Sequence, residues 1–194
     1  MPPALKLATL ADLQALDAEA RVELVDGQLV PKAEATARHG KAQRTVATAV
    51  GSPFDEGDNG GPGGWWILTE TLIQLGHNTY RPDLSGWRRE RLPDPAAYTP
   101  IEVVPDWICE VVSPGATNVQ RDRVHKRRAY ARAGVRYYWL VDPEARVLEA
   151  LELDGAGWRE CGAWDETAQD ARIPPFEAIA LDVSRFFFPA TDAP

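Results

Sequence analysis

Short apolar runs recur along the chain, and their spacing predicts strands interrupted by three helices. The helices are expected over residues 11–16, 36–50 and 118–133, each marked by a capping residue before it or a glycine after it. The strands are expected in a hairpin at 21–30 and at 65–75, 80–87, 106–112, 135–141, 147–153 and 158–161. This order of elements predicts an α/β fold with a mixed sheet flanked by helices, preceded by an N-terminal helix and β-hairpin.

The length of 194 residues predicts a single domain over 1–194, with a core over about 10–153 and C-terminal strands and a tail over 154–194. The strand at 106–112, the helix after it and the strand at 135–141 are expected to form a right-handed crossover. Without an apolar run of about 18 residues or a signal-like start, the chain is expected to be cytoplasmic and to have no membrane contact. Cys109 and Cys161 are too few for a disulfide framework and are expected to be reduced.

The charge of the chain is acidic on average but strongly uneven. The formal net charge is −8, from 21 basic and 29 acidic residues, which argues against a nucleic-acid partner. Segment 121–136 nevertheless carries +6, because a single acid, Asp122, accompanies Arg121, Arg123, Lys126, Arg127, Arg128, Arg132 and Arg136. Two interpretations stay open: a solvated helix face, or a phosphate-facing patch on an acidic body.

Three carboxylates fall inside apolar, strand-like segments. Alternation along 106–112 places Glu110 between apolar residues on one face, and Glu70 has the same setting within 65–75. Asp83 follows a proline in the short strand at 80–87. A buried charge costs several kcal/mol or more unless it is paired, so each of these acids needs a cation or several hydrogen-bond donors.

Acids on successive strands can meet at one end of a sheet, where a divalent ion would offset their repulsion. Hard oxygen ligands without a Cys or His cluster favour Mg²⁺ or Mn²⁺ over zinc. The alternative is that Asp83 and Glu110 form ion pairs with Lys126 or with the neighbouring arginines. Lys126 shares a predicted helix face with Asp122 and Tyr130, and this spacing fits either a surface ion pair or a lysine that reaches Glu110. His39, near the start of the first long helix, is a further candidate.

Several motifs in order resemble the Uma-two family of restriction endonucleases. They are Arg-Pro-Asp at 81–83, PDWICEVVSP at 105–114, Asp122 with Lys126 and Tyr130, and YYWLVDP at 137–143. Upstream, Glu23 within ELVDG at 23–27 and His39 are similar to the amino-terminal pattern of that family. The resemblance covers about residues 10–153.

The resemblance implies the restriction-endonuclease-like fold of PD-(D/E)xK nucleases, with a metal site at one end of a mixed central sheet. It implies that Asp83 and Glu110 bind Mg²⁺ or Mn²⁺, with Glu70 as a further candidate ligand. The second position after Glu110 is Val112 instead of lysine, so Lys126 would supply the cation. The supporting residues would be Asp122, His39, Glu23 and Tyr130, and the nucleic-acid contacts would be Arg121, Arg123 and Arg127.

These expectations combine into a Mg²⁺-dependent endonuclease that hydrolyses phosphodiester bonds in DNA, with Asp83, Glu110 and Lys126 as candidate catalytic residues. One alternative, favoured by the acidic charge and by Val112, is a catalytically inactive domain of this fold that acts as an interaction module. Another is a metal-dependent hydrolase of a different phosphodiester. The chain has seven tryptophans, some of which could be buried at a subunit contact, and nucleases of this fold often act as dimers. Both observations predict a homo-oligomer, with a dimer favoured.

Overall fold

The computed structural model describes residues 7–17, 20–115 and 121–189. The α-helices in these ranges are α1 (Leu10–Gln14), α2 (Ala37–Gly51) and α3 (Arg127–Ala133). π-helical segments follow α2 (Ser52–Glu56) and precede α3 (Arg121–Lys126), and 3₁₀ turns cover Pro95–Ala97 and Val183–Phe186. The strands are β1 (Val22–Val25), β2 (Gln28–Pro31), β3 (Trp65–Thr69), β4 (Ile73–Leu75), β5 (Asn78–Tyr80), β6 (Leu84–Arg88), β7 (Trp107–Val111), β8 (Tyr137–Asp142), β9 (Val147–Asp154) and β10 (Gly157–Asp165).

Two sheets organise the described residues. The larger has the strand order β10-β9-β8-β7-β6-β3, in which β7 and β8 are parallel and the other neighbours are antiparallel. The smaller has the order β2-β1-β5-β4. The predicted mixed sheet with flanking helices is confirmed, and α3 lies in the crossover between its two parallel strands. The predicted N-terminal hairpin is present as β1 and β2, and its pairing with β5 makes it part of a second sheet.

The two faces of β7 enter different apolar cores, as alternation along the strand predicted. Trp107, Cys109 and Val111 pack with α2 and with the C-terminal segment. Ile108 and Val112 pack on the other face, in the core that contains Tyr130 of α3. Glu110 therefore points toward the face covered by α3.

Local sequence signals set the helix ends. Thr9 and Asp12 form a capping box on α1, in which the Asp12 carboxylate accepts from the Thr9 backbone N–H at 2.8 Å. The Thr36 hydroxyl caps α2 by accepting from the backbone N–H of His39. Helix α3 ends at Gly134, which adopts φ 85°, a conformation that glycine takes at little cost. Residues 118–120 of the helix predicted over 118–133 lie outside the described ranges.

Two predicted strands are divided in the structure. The expected strand at 65–75 is wrong as one element, because Glu70 takes a left-handed φ of 52° and sends the chain from the larger sheet to the smaller. The expected strand at 80–87 is also divided: β5 ends at Tyr80, and β6 begins after Asp83. Pro82 lies in this break, since proline has no N–H to give to a sheet ladder.

The tryptophan-rich core is closed by the C-terminal segment. Phe176 contacts three buried indoles, with ring centroids 5.1 Å from Trp65, 4.9 Å from Trp107 and 5.5 Å from Trp139. These tryptophans are buried within the chain itself, so their burial requires no subunit contact. The homodimer therefore stays a prediction. Within the described ranges, no helix has the length and apolar character needed to cross a membrane.

Candidate functional site

The candidate site lies at the end of the larger sheet that faces the smaller one. The register of β6 with β7 pairs Leu84 with Cys109, which sets Asp83, one residue earlier, opposite Glu110. On the other side of β6, the backbone N–H of Glu70 donates to the Asp83 carbonyl oxygen at 3.2 Å. The structure therefore brings the three predicted acids to one end of the sheet.

Glu70 reaches this place by a different route from the one predicted. Because β3 ends at Thr69, Glu70 does not share a strand face with Trp66 and Leu68. Its side chain is 27 % exposed and accepts from the guanidinium of Arg21 at 2.7 Å and from the amide of Gln43 at 3.1 Å. Among Glu70, Asp83 and Glu110, which together form the acidic cluster, Glu70 therefore has the most exposed side chain.

The Asp83 carboxylate is buried and fully hydrogen-bonded. Oδ2 accepts from the Val111 backbone N–H at 2.7 Å, and Oδ1 lies 2.7 Å from Lys32 Nζ and 3.2 Å from His39 Nε2. Burial acts to raise the pKa of Asp83, but the His39 hydrogen bond and the charge of Lys32 outweigh it and hold that pKa well below the usual range. His39 Nδ1 lies 3.3 Å from the Ser113 hydroxyl, which orients the ring.

Glu110 and Lys126 form a buried ion pair. Lys126 Nζ lies 2.9 Å from Glu110 Oε1, and the Tyr130 hydroxyl donates to the same oxygen at 2.6 Å. Lys126 ends the π-helical segment and Tyr130 lies one helical turn later on α3, so both reach Glu110 from one face of the continuous helical stretch 121–133. Burial, and then the Glu110 charge, raise the pKa of Tyr130 well above its ordinary value, so the phenol stays protonated as a donor.

Glu23 on β1 joins this pair from the smaller sheet. Its Oε1 lies 3.2 Å from Lys126 Nζ and accepts from the Arg81 backbone N–H at 2.9 Å. Its Oε2 is buried and has no hydrogen-bond partner within the described ranges. A buried carboxylate oxygen without a donor is costly, which makes Glu23 a candidate for holding a further cation.

Lys32, which directly follows β2, was missed by the sequence analysis. Its ammonium donates to Asp83 Oδ1, to Glu70 Oε2 at 3.0 Å and to the Arg81 carbonyl oxygen at 2.8 Å. Burial acts to lower the pKa of Lys32, but the charges of Asp83 and Glu110 outweigh it and raise that pKa. The residues it contacts are 38 to 51 positions away, so no local pattern marks it.

Arg123 and Arg127, two of the arginines predicted to contact nucleic acid, differ in what surrounds them in the structure. Arg123 is bound to other protein groups, at 2.6 Å from Glu149 and 3.0 Å from Asp142. Arg127 is half-buried, and its carbonyl oxygen accepts from an indole N–H. The side chains of Arg121 and Asp122 lie outside the described part of the structure. The exposed cations on α3 are instead Arg128 and Arg132.

Two cavities border the cluster. One of about 740 Å³ lies between the smaller sheet and α3, where Glu23 and Lys126 contribute to its wall together with Arg128 and Arg132. The other, of about 560 Å³, lies between α2 and β3 and includes Gln43. Both therefore reach residues that contact the acidic cluster.

The chemistry of the donor set fits a hard divalent cation. Glu70, Asp83 and the Arg81 carbonyl direct oxygens at the Lys32 ammonium, and Glu110 directs one at Lys126. Carboxylate and carbonyl oxygens are ligands that Mg²⁺ and Mn²⁺ prefer. In the arrangement described, lysine ammoniums lie between these oxygens. Across residues 7–17, 20–115 and 121–189, no three His, Cys, Asp or Glu side chains are grouped closely enough to hold an ion together.

Comparisons with known proteins agree with this architecture. A putative nuclease from Anabaena variabilis has a similar crystal structure, with a TM-score of 0.70 and 19 % sequence identity over 92 % of this chain and 96 % of that one. At this identity the likeness shows a shared fold alone, consistent with the restriction-endonuclease-like class. No curated protein matches the sequence. The Uma-two family model, described as "Putative restriction endonuclease", matches residues 7–184. Because this match spans nearly the whole chain, the protein belongs to the Uma-two family, and membership supports a nuclease function.

Proposed function

We propose that this protein is a Mg²⁺-dependent endonuclease that hydrolyses phosphodiester bonds in DNA. The observation that carries the proposal is that the buried Lys126 ammonium lies 2.9 Å from Glu110. Glu110 is on β7, next to the strand β6 that Asp83 precedes. Because Lys126 is buried beside Glu110 instead of pointing into solvent, it offers a cation in place of the strand lysine. Family membership supports the reaction class.

Asp83 and Glu110, with Glu70 beside them, would hold the ion. When bound, the ion supplies polarisation of a phosphoryl oxygen and a coordinated water of lowered pKa. His39 and the Val111 N–H keep the Asp83 carboxylate ionised and oriented for this task. These contacts limit how far the carboxylate can rotate when an ion binds.

Lys126 would stabilise the negative charge that develops on the phosphoryl group. Glu110 and Glu23 hold its ammonium from two sides, and Tyr130 fixes the Glu110 oxygen that it contacts. Val112, which takes the place of the strand lysine, is buried in an apolar core and cannot contribute a charge. The cation is therefore supplied from the helical segment that leads into α3 instead of from β7.

The test is cleavage of a labelled DNA duplex in Mg²⁺ or Mn²⁺ by the parent protein and by Lys126→Met. We expect the parent to cut and Lys126→Met to lose about a hundredfold or more in rate, as when one charge-stabilising donor is removed. Lys41→Met on α2 is the matched control, since the Lys41 ammonium donates to the Thr45 hydroxyl on the same helix, 3.2 Å away, and is not part of the site described above. Equal rates for the parent and Lys126→Met would contradict the role given to Lys126.

A second candidate function is a non-catalytic interaction module. The observation that favours it is that Asp83 and Glu110 each already pair with a lysine. In the same assay, DNA that is bound but never cut would support this candidate. Cleavage of bis(p-nitrophenyl) phosphate without cleavage of DNA would instead indicate a hydrolase of another phosphodiester.

A further inference from the structure

The Lys32 ammonium is held as a cation in a ligand shell. Its three protons are directed to three oxygens from three points of the chain: Glu70 Oε2, the Arg81 carbonyl and Asp83 Oδ1, at 2.7 to 3.0 Å. The side chain is 5 % exposed. Two carboxylates and one carbonyl form a donor set that a hard divalent ion also takes.

The distances show that the shell cannot hold both cations at once. The 2.7 to 3.0 Å separations suit N–H···O hydrogen bonds, whereas Mg²⁺ needs oxygens at about 2.0–2.1 Å. An ion bound by Asp83 and Glu70 would have to draw these oxygens inward to the place where Nζ now lies. The lysine would then have to leave.

The charges of the cluster allow such an exchange. Four carboxylates face two buried ammoniums here, and the carboxylates are Glu23, Glu70, Asp83 and Glu110. If a doubly charged ion replaced the singly charged Lys32, the positive charge of the ion and Lys126 together would still not exceed the negative charge of these four acids. The exchange therefore adds no uncompensated positive charge to a buried site.

We propose that the Lys32 ammonium occupies the position of the divalent cation, so that docking of Lys32 and binding of the metal exclude each other. This inference rests on the proposed function, because it concerns the same metal. The backbone need not move: the Lys32 N–H donates to the Arg21 carbonyl oxygen at 2.7 Å within the hairpin. Only the flexible stem of the side chain swings outward.

Mn²⁺ binding by the isolated protein tests the exclusion directly. In calorimetry we expect Lys32→Met to bind Mn²⁺ about tenfold more tightly than the parent, the factor expected if Lys32 is docked nine times in ten. Lys41→Met, which also removes one lysine charge, should bind as the parent does. Equal affinity of the parent and Lys32→Met would overturn the proposal.

A measurement on the parent protein avoids dependence on the folding of Lys32→Met. Acetic anhydride labels accessible lysine amines, and mass spectrometry reports each site. We expect Lys32 to be protected without metal and labelled severalfold faster at a Mn²⁺ concentration that saturates the site, while labelling of Lys41 is unchanged. Continued protection of Lys32 under saturating Mn²⁺ would overturn the proposal.

Asp83→Asn separates this inference from the proposed function. If the parent and Lys32→Met bind Mn²⁺ equally and Asp83→Asn abolishes binding, the role of Lys32 falls and the metal site stands. If neither the parent nor Lys32→Met binds Mn²⁺ while circular dichroism shows both folded, the inference and the metal-dependent function fall together.

Discussion

At the residue scale, the candidate site is a set of buried charges that neutralise one another. Asp83 is paired with Lys32 and His39, while Glu110 is paired with Lys126. Each pair stabilises the protein less than its short distances imply, because desolvation offsets most of the attraction. Removing one partner has a large cost, since it leaves the other charge buried.

The lowered pKa of Asp83 predicts how stability depends on pH. The native state keeps this carboxylate ionised at pH values where the unfolded chain, with an ordinary pKa near 3.8, binds a proton. The stabilisation from Asp83 is therefore full above that value and is lost as the pH falls further. Between about pH 5 and about pH 3, we expect the free energy of unfolding to fall by about 1 kcal/mol more in the parent than in Asp83→Asn. Urea denaturation at each pH measures the difference, and parallel pH profiles would contradict it.

The Glu110 and Lys126 pair predicts strong coupling between substitutions. We expect Glu110→Gln alone to lower the free energy of unfolding by about 3–5 kcal/mol, because Lys126 loses its nearest counter-charge while buried. Lys126→Met should then cost less than it does in the parent, because only Glu23, and no longer an ionised Glu110, loses its ammonium partner. A double-mutant cycle by chemical denaturation measures the coupling. Strictly additive losses would show that the two groups do not act as a pair.

At the element scale, the site depends on how α3 is fixed over the sheet. Tyr130 lies on α3 and Lys126 directly before it, so the orientation of that helix decides whether they reach Glu110. The Arg123 guanidinium ties the turn before α3 to β8 through Asp142 and to β9 through Glu149. Arg123 therefore helps to fix the position of α3 on the sheet, a role that the basic composition of segment 121–136 did not predict.

Arg123→Ala tests that task. We expect it to lower the free energy of unfolding by about 1 kcal/mol, a value discounted for partial exposure of the pair. For a chain of this size the loss corresponds to a fall in Tm of about 3 °C. The control is Arg128→Ala on the exposed side of α3, which should leave Tm unchanged and weaken DNA binding more than Arg123→Ala does. Calorimetry and fluorescence polarisation report the two effects, and the reverse ranking would contradict the assignment.

At the scale of the whole molecule, an acidic protein carries one basic helix surface. The net charge is −8, yet α3 and its exit expose Arg128, Arg132 and Arg136. Other cations of the segment are used within the fold, Arg123 and Lys126 among them. DNA would therefore meet a small patch instead of a broad positive face.

This small patch predicts a shallow salt dependence of DNA binding. Three phosphate contacts give a slope of about −3 in a plot of log binding constant against log salt concentration. Fluorescence polarisation of a labelled duplex across a salt series measures it. A slope near −8 would require many more phosphate contacts than Arg128, Arg132 and Arg136 supply.

Much of the fold and part of the site follow from local sequence patterns. Alternation along 106–112 predicted the two faces of β7, and the order of motifs predicted a restriction-endonuclease-like sheet with Asp83 and Glu110 near one end of it. The four-residue spacing of Lys126 and Tyr130 predicted their common helix face, and both contact Glu110. The strand faces and the helix face depend on backbone periodicity, which neighbouring residues determine, whereas the restriction-endonuclease-like sheet was implied by the resemblance to the Uma-two family.

Tertiary structure alone decided which cation each acid meets. Lys32 contacts acids in distant parts of the chain, and Glu70 enters the cluster through a left-handed turn that interrupts its expected strand. The pairing of the N-terminal hairpin with β5 brings Lys32 and Glu23 to the larger sheet. Periodicity and capping are properties of adjacent residues, so the sequence by itself determined the elements and their buried faces. The partner of a buried charge depends on which elements pack together, and so the structure decided that Lys32 lies among the acids proposed to bind the metal.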